Sequence, residues 1–163
     1  MTKLPAGSLI FMKFVDRKGI VHEKPAGREV KKRDSCYGVA VRDGSVLLIK
    51  PVWIDRWELP GGGADPEESV FDAMKREFFE ETGFVVKSSD SKPIVRKQRF
   101  YSDDQDIFYD STMNFFRINK LEQSDGSQKL SWEIKKVKWV RIDFLDDKNT
   151  HKIHLEIIRG GNS

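Results

Sequence analysis

The sequence has a single cysteine and no long apolar run, and each shortage excludes a class of protein. Cys36 is the only cysteine, so no disulfide can form within the chain. No segment approaches the ~18 apolar residues that a membrane-spanning helix needs. Lys13 interrupts the first apolar stretch, and no small-residue cleavage site follows it, as a signal peptide would require. We therefore expect a cytoplasmic protein without a membrane partner.

The charge balance is close to neutral. The chain has 29 basic and 26 acidic residues, which gives a formal charge of +3. Nucleic-acid-binding domains, in contrast, usually carry a marked basic patch. Nucleic acid is therefore not an expected partner. The hydrophobic share of 38% is ordinary for a globular chain. The length suits one domain over residues 1–163, with residues 1–34 as an N-terminal arm of strand and loop. A homodimer is left open.

Two features have a structural interpretation beside a functional one. Residues 24–33 are polar and basic, with Lys31, Lys32 and Arg33 adjacent. A solvated loop is favoured there over a patch that binds phosphate or nucleic acid. Cys36 is interpreted as a buried structural side chain rather than a nucleophile, because the sequence suggests no histidine partner.

The hydrophobic pattern predicts a mixed β-sheet flanked by helices. The predicted strands are residues 9–15, 20–22, 37–41, 46–49, 84–87, 94–100, 111–118 and 137–142. The predicted helices are residues 66–82 and 150–159, and residues 120–129 are predicted to form a polar loop. The pair Asp43-Gly44 suits a tight hairpin turn. This order of elements predicts an α+β fold with α/β/α layering.

The start of the first helix carries several capping signals. Asp65 suits the N-cap and Pro66 the first helical position. Glu68, three residues after Asp65, completes the pattern of a capping box. Gly83 supplies the stop signal at the other end.

The same helix places carboxylates beside its apolar stripe. At 100° per residue, Glu77 and Glu81 fall within ~20° of Val70, and Glu80 lies ~80° away. Charge runs of this kind usually form solvated faces laced with salt bridges. Burying carboxylates without a counter-charge, however, is costly or raises their pKa values. A bound cation resolves the conflict, and oxygen ligands alone favour Mg²⁺ or Mn²⁺.

Residues 62–84 resemble the signature of the Nudix hydrolases, G-x5-E-x7-R-E-U-x-E-E-x-G-U, where U is a bulky apolar residue. The fixed positions are filled by Gly62, Glu68, Arg76, Glu77, Phe78, Glu80, Glu81, Gly83 and Phe84. Phenylalanine occupies both U positions, and Glu67 stands where many members have glycine. The resemblance implies a Nudix-like α/β/α sandwich with a mixed sheet and a signature loop and helix.

The resemblance also implies an activity. It suggests a Mg²⁺-dependent pyrophosphohydrolase, with Mn²⁺ as the alternative metal. The substrate would be a nucleoside diphosphate linked to another moiety X, as in nucleoside triphosphates, nucleotide sugars or dinucleoside polyphosphates. Glu77, Glu80 and Glu81 would be metal ligands, and Arg76 would orient a carboxylate. The run WELPGGG is expected to be extended and then flexible. The resemblance implies that Gly61, Gly62 and Gly63 form the loop before the helix, where backbone can approach the pyrophosphate closely.

Several other roles stay open between alternatives. Glu133 is the first candidate for a further metal ligand or general base, and Glu122 is the second. Glu68 either completes the capping box or lies in the outer shell of the metal. Arg56 and Lys50 are candidates for phosphate contact, and a surface role is equally compatible with both.

The identity of X is poorly marked. Tyr101 lies close to where dinucleoside polyphosphate hydrolases tend to carry a tyrosine, but packing also explains it. Tyr101, Phe108 and Tyr109 could alternatively stack on a base. The rival functions are a nucleotide-sensing Nudix module without catalysis, and an RNA-cap pyrophosphohydrolase that would use residues 31–33. Isopentenyl diphosphate isomerases share the fold but need a catalytic cysteine and a modified signature.

Overall fold

The computed structural model describes residues 11–126 and 130–160. The strands are β1 Lys13–Val15, β2 Val21–Glu23, β3 Val30–Val39, β4 Val41–Arg42, β5 Ser45–Pro51, β6 Gly61–Gly63, β7 Phe84–Ser89, β8 Ile94–Ser102, β9 Ile107–Gln123 and β10 Ile134–Arg141. The helices are α1 Val70–Thr82 and α2 Lys152–Ile158, and a 3₁₀ turn covers Ile142–Phe144. Residues 9 and 10 of the first predicted strand and residues 127–129 of the predicted loop lie outside the described ranges.

The layering follows from the alternation of side chains along the central strands. A mixed sheet has the order β2-β1-β8-β9-β3-β6, with β7 paired to β9, and a second sheet has the order β10-β5-β4. Phe115 packs in one core with Leu155 and Ile157 of α2, and its neighbour Phe116 packs in another with Met74 and Phe78 of α1. Successive residues of a strand face opposite sides. The helices therefore cover opposite faces, which confirms the α+β fold with α/β/α layers.

The hairpin between β4 and β5 also forms as predicted. Arg42 pairs with Ser45 across the turn. Asp43 and Gly44 have φ angles of 50° and 75°, the positive values that a tight two-residue turn demands. Within the described ranges, none of the helices is long and apolar enough to cross a bilayer.

The two predicted polar loops are partly wrong, because long-range pairing continues the strands into them. β3 starts at Val30 and pairs in parallel with β9, from Val30 opposite Phe108 onwards. Lys31 and Lys32 therefore lie on a strand, with exposed side chains. At its other end β9 runs to Gln123, which pairs with Phe84 of β7. Backbone hydrogen bonds along these ladders outweigh the polar composition.

The predicted start of α1 is wrong by four residues. Ser69 is the N-cap: its backbone is extended, and its hydroxyl accepts the Asp72 N–H at 3.1 Å. Asp65 and Glu68 instead form a separate turn, in which the Glu68 N–H donates to the Asp65 carbonyl at 3.0 Å. The Asp65 N–H donates back to Glu68 Oε1 at 3.2 Å. The helix ends as predicted at Gly83, whose φ is 77°.

The triple glycine is not the flexible loop that its composition suggested. Gly61 pairs with Tyr37 and Gly62 with Cys36, so the glycines form strand β6 against β3. An added Cβ on Gly62 would lie 2.8 Å from the Glu77 carboxyl carbon in α1. A side chain at position 62 would therefore displace the Glu77 carboxylate. Cys36 is buried as expected, with its thiol donating to the Gly62 carbonyl.

Gly61→Ala is expected to destabilise the fold, because the new Cβ would collide with the Cys36 carbonyl oxygen and lie 2.6 Å from the Tyr37 ring. Overpacking of this kind costs roughly 1 to 3 kcal/mol. Gly63→Ala is the matched control, since its Cβ meets only the flexible Arg33 guanidinium, at 3.3 Å. Urea unfolding should give a markedly lower midpoint for Gly61→Ala alone. Equal midpoints for both variants would contradict this packing argument.

Candidate active site

A cleft of about 670 Å³ opens beside α1, β6 and the segments that lead into β6 and β10. The charged side chains that line it are Arg17, Arg33, Arg56, Glu58, Glu77, Glu81, Asp104 and Glu133. The glycines of β6 line it as well. Carboxylates of the helix and guanidinium groups of the strands and loops therefore face the same space, as a substrate that carries both cations and phosphates would require.

Glu81 is the most deeply buried of these carboxylates. Its side chain lies at the base of α1, the residue is only 9% exposed, and the Gly61 N–H donates to its Oε2 at 2.9 Å. Burial raises the pKa of Glu81 well above its usual range, against the Gly61 hydrogen bond, and the nearby carboxylates of Glu77, Glu58 and Glu133 raise it further. A positive charge in the cleft would relieve this cost.

Arg76 supplies the positive charge nearest to the other two signature carboxylates. Its Nη1 lies 2.9 Å from Glu77 Oε1 and 3.3 Å from Glu80 Oε2. Burial raises the pKa of Glu77 even though Arg76 opposes that shift. Glu80 is the outermost of the three, with its side chain 47% exposed. Glu77 and Glu81 therefore face the cleft more directly than Glu80 does.

Glu68 holds Arg76 in place. Arg76 Nε donates to Glu68 Oε2 at 2.8 Å and Nη2 donates to Glu68 Oε1 at 2.9 Å, a two-point contact. The hydrogen bonds from Arg76 lower the pKa of Glu68 to about 2. The carboxylate also keeps its contact with the Asp65 N–H. Glu68 thus links the turn before the helix to the arginine that contacts Glu77 and Glu80.

The donor set of the cleft fits a hard divalent cation. In residues 11–126 and 130–160, no three His, Cys, Asp or Glu side chains already converge on one point. Mg²⁺ does not require such a cage, since it usually takes one or two carboxylates and completes its shell with water and phosphate oxygens. Glu77 and Glu81 meet that requirement, because the half-buried Glu77 and the buried Glu81 both line the cleft. Glu80 would have to turn from Arg76 to join them.

The two candidates for a further acidic residue lie in different places. Glu133 lines the cleft, and its charge raises the pKa of both Glu77 and Glu81. Its carbonyl accepts the Val52 N–H at 2.9 Å, which ties the segment before β10 to the end of β5. Glu122, in contrast, lies on β9, with its side chain 62% exposed and paired with Lys87. The structure therefore brings Glu133, and not Glu122, to the signature carboxylates.

The two basic candidates for phosphate contact, Arg56 and Lys50, also lie in different places. Arg56 lines the cleft, and its Nε and Nη2 both lie 2.9 Å from Glu58 Oε1. This pairing fixes the guanidinium at the cleft wall. Lys50 instead pairs with Asp55 at 2.9 Å and lies 4.6 Å from the centre of the Trp57 ring.

Tyr101 packs on the other side of its strand from the cleft. Its neighbours Phe100 and Ser102 line the cleft, and alternate residues of a strand face opposite sides. The Tyr101 ring lies 4.6 Å from that of Phe108, and its hydroxyl donates to Asp106 at 2.8 Å. Packing therefore accounts for this tyrosine, and the structure does not bring it to the predicted substrate site.

Sequence reasoning missed two histidines of the cleft wall. His154 is buried, and its Nδ1 accepts the Leu59 N–H at 3.0 Å. Its ring stacks on that of His151 at 4.1 Å. Among the described residues, His154 Nε2 is the buried side-chain N or O atom that lacks a hydrogen-bond partner within the chain. The spacing His151-x-x-His154 was the available signal, because it places the N-cap of α2 next to a side chain in the first turn of the helix.

A family profile of the NUDIX domain matches residues 32–160. The chain belongs to the Nudix family. A Bacillus subtilis protein, named provisionally as an 8-oxo-dGTP diphosphatase, is 38% identical over 66 residues, which are 40% of this chain and 44% of that protein. The Bos taurus diphosphoinositol polyphosphate phosphohydrolase 3-beta is 46% identical over 59 residues, or 35% of this chain and 36% of that protein. The chain thus spans less than half the length of these curated relatives.

The crystal structure of a MutT Nudix hydrolase from Burkholderia pseudomallei superimposes with a TM-score of 0.61 at 25% identity. The match covers 77% of this chain and 97% of that one. The Nudix fold predicted from the signature is confirmed.

The burial of His151 predicts that the folded protein loses stability in acid. Burial lowers the pKa of His151 from 6.5 to about 3, so between these pH values the unfolded chain binds a proton that the folded chain excludes. Its stabilising contribution is present above pH ~6.5 and is lost as the pH falls. His151→Asn keeps a side-chain acceptor at the N-cap of α2, where His151 Nδ1 accepts the Ile153 N–H.

We expect the wild type to lose up to about 2 kcal/mol more unfolding free energy than His151→Asn between pH 6.5 and 5. Urea unfolding at the two pH values measures the difference, and the interval from pH 7 to 8 serves as the control, where the two proteins should behave alike. Equal acid losses in both would show that His151 does not titrate as its burial implies.

Proposed function

We propose that this protein is a Mg²⁺-dependent pyrophosphohydrolase that cleaves a nucleoside diphosphate linked to another moiety X. The observation that carries the proposal is that Glu77, Glu81 and Glu133 line one cleft that arginines also line. We further propose that the protein acts in the cytoplasm and that its substrate is a small nucleotide rather than a nucleic acid. Homodimer formation stays a prediction.

Different residues of the cleft would bind the metal ion and contact the diphosphate. Glu77 and Glu81, with Glu80 after it turns from Arg76, would hold Mg²⁺, or Mn²⁺ in its place. Bound there, the cation supplies positive charge against the diphosphate and makes water a stronger nucleophile at neutral pH. The backbone of Gly61–Gly63 lines the cleft without side chains, so phosphate oxygens can approach it closely. Arg56, held by Glu58, faces the cleft where it can contact phosphate.

Glu133 is the group that we assign as general base. Water attacks one phosphorus of the anhydride, the bridging P–O bond breaks, and the proton of the water passes to a carboxylate. Glu133 comes from a different element than the signature helix, yet its charge acts on both Glu77 and Glu81. A carboxylate that lies this near to the proposed metal ligands can accept the proton of the attacking water.

The RNA-cap alternative receives little support from the basic run. Among these three residues, Arg33 lines the cleft. Lys31 and Lys32 do not line it and are exposed on β3. Arg33 itself lies 5.5 Å from the centre of the Tyr109 ring. A contiguous basic track toward the cleft, as an RNA chain would need, is not formed by these three residues.

Glu81→Gln is expected to abolish hydrolysis without unfolding the protein, because the amide keeps an oxygen for the Gly61 N–H and removes a buried charge. Activity should fall by more than the ~10- to 100-fold that loss of an outer-shell partner costs a metal site. The assay is phosphate-bond hydrolysis with Mg²⁺ across nucleoside triphosphates, ADP-ribose, nucleotide sugars, dinucleoside polyphosphates and capped RNA. Cleavage by the variant at the wild-type rate would refute the assignment.

The activity of the wild-type protein in the same assay distinguishes an enzyme from a nucleotide sensor. If it cleaves none of the panel while a nucleotide raises its melting temperature, the protein is a nucleotide-sensing module instead.

Glu133→Gln and Glu122→Gln form a matched pair for the general base. Loss of a general base lowers the rate by roughly 10²- to 10⁴-fold, so kcat should fall by that factor in Glu133→Gln. Glu122→Gln should keep wild-type kcat, because its side chain is exposed and paired with Lys87 on β7. Melting temperatures of both variants check the fold. A large loss in Glu122→Gln, or none in Glu133→Gln, would reverse the assignment.

A further inference from the structure

Two tryptophans stand exposed at the cleft. Trp132 is 81% exposed and Trp53 43%, and both line the cleft that contains Glu77 and Glu81. Trp57, in comparison, is buried in the core. A tryptophan normally buries much of its large apolar surface. Two such rings left open on one cleft point to a partner that covers them when it binds.

The two tryptophans are the chain neighbours of two residues that are hydrogen-bonded to each other. The Val52 N–H donates to the Glu133 carbonyl at 2.9 Å, directly after the β5–β10 pair of Pro51 and Ile134. Trp53 follows Val52 and Trp132 precedes Glu133 in the chain. Each tryptophan thus lies one residue from the hydrogen bond that fixes the backbone of Glu133, the proposed base.

One face of Trp53 already has a partner from the N-terminal arm. The Arg17 guanidinium lies 5.6 Å from the centre of the Trp53 ring. Asp103 and Asp104 hold that guanidinium at 3.2 and 2.5 Å. Arg17 precedes the segment that matches the family domain, residues 32–160. This contact orients the Trp53 ring before any substrate arrives.

We propose that Trp53 and Trp132 stack on the heteroaromatic base of the substrate and thereby select nucleotides over diphosphates that lack an aromatic ring. The proposal rests on the proposed function, and it names the part of the substrate that the signature leaves undetermined. A flat base offers the π face that exposed indole rings match. Stacking tolerates different bases, so selection here acts on the presence of a base more than on its identity.

The charges of the cleft argue against the main alternative, a highly phosphorylated polyol. Such a ligand needs several uncommitted cations. Of the three arginines that line the cleft, Arg17 is paired with Asp103 and Asp104, and Arg56 is paired with Glu58. The third, Arg33, lies 5.5 Å from the centre of the Tyr109 ring. The described cleft therefore offers few uncommitted cations beside its open aromatic rings, which suits one diphosphate joined to a base.

The test compares Trp53→Leu, Trp132→Leu and the double variant with Phe144→Leu. Phe144 is a matched control, because it is 62% exposed and lies in the 3₁₀ turn rather than in the cleft lining. For the nucleotide of the panel that is cleaved best, kcat/KM should fall by about 5- to 150-fold per lost stacking contact. The inhibition constant of Mg²⁺-tripolyphosphate, which has no base, should stay within about twofold, and Phe144→Leu should match the wild type in both.

A second readout does not depend on turnover. In the Glu81→Gln background, titration with the same nucleotide should quench tryptophan fluorescence, and the double variant should lose that quenching. The inference is overturned if the double variant cleaves nucleotides with wild-type kcat/KM, or if tripolyphosphate binding weakens as much as nucleotide cleavage. Failure of the proposed function looks different, because the wild type then cleaves no member of the panel.

Discussion

The candidate site depends on the close passage of the glycine strand β6 between β3 and α1. A Cβ on Gly61 would collide with the Cys36 carbonyl oxygen of β3, and a Cβ on Gly62 would lie 2.8 Å from the Glu77 carboxyl carbon and displace that carboxylate. The same closeness lets the Gly61 N–H reach Glu81 in the last turn of the helix. A backbone amide and two carboxylates are thus held at one wall of the cleft. If β6 moved away from α1 by the width of a methyl group, the hydrogen bond from the Gly61 N–H to Glu81 would break. Glu81 would then no longer be held against the glycine strand.

This arrangement costs the free protein stability. The structure buries Glu81 and partly buries Glu77 with raised pKa values, and it places Glu58 and Glu133 near enough to add to the repulsion. Arg76 offsets part of this cost for Glu77 but is committed to Glu68 as well. Perturbed carboxylates of this kind concentrate at functional sites, because a group tuned for charge chemistry is rarely tuned for stability. A cation bound together with a diphosphate would offset this excess of negative charge.

Sequence reasoning succeeded where the determining interactions are local. Helical periodicity alone placed Glu77 and Glu81 beside the apolar stripe, since the angle per residue does not depend on the rest of the fold. It failed where distant partners decide. Asp65 and Ser69 are both good N-cap residues, and the choice of Ser69 follows from how the preceding turn is tied by Glu68 to Arg76.

Tyr101 shows the same limit on a strand. Its position in an aromatic stretch was visible in the sequence, but which of two alternating faces would meet the cleft depends on pairing with β9. The glycines of β6 are a further case, because a composition typical of flexible loops becomes a strand only through its register with β3.

Under the proposed function, the reaction and the choice of substrate are encoded in different parts of the chain. The two curated relatives carry names that refer to chemically different substrates, a nucleotide in one and an inositol pyrophosphate in the other. Features that this chain shares with both cannot decide between those substrates. The side chains that we propose to decide lie outside the signature helix: Trp53 before β6, Trp132 before β10, and Arg17 in the arm that precedes the matched domain. Because Glu133 is positioned by the same hydrogen bond as the tryptophans, a substrate that engages the rings would also settle the segment that carries the proposed base. Recognition of the base and placement of the general base would then be physically coupled.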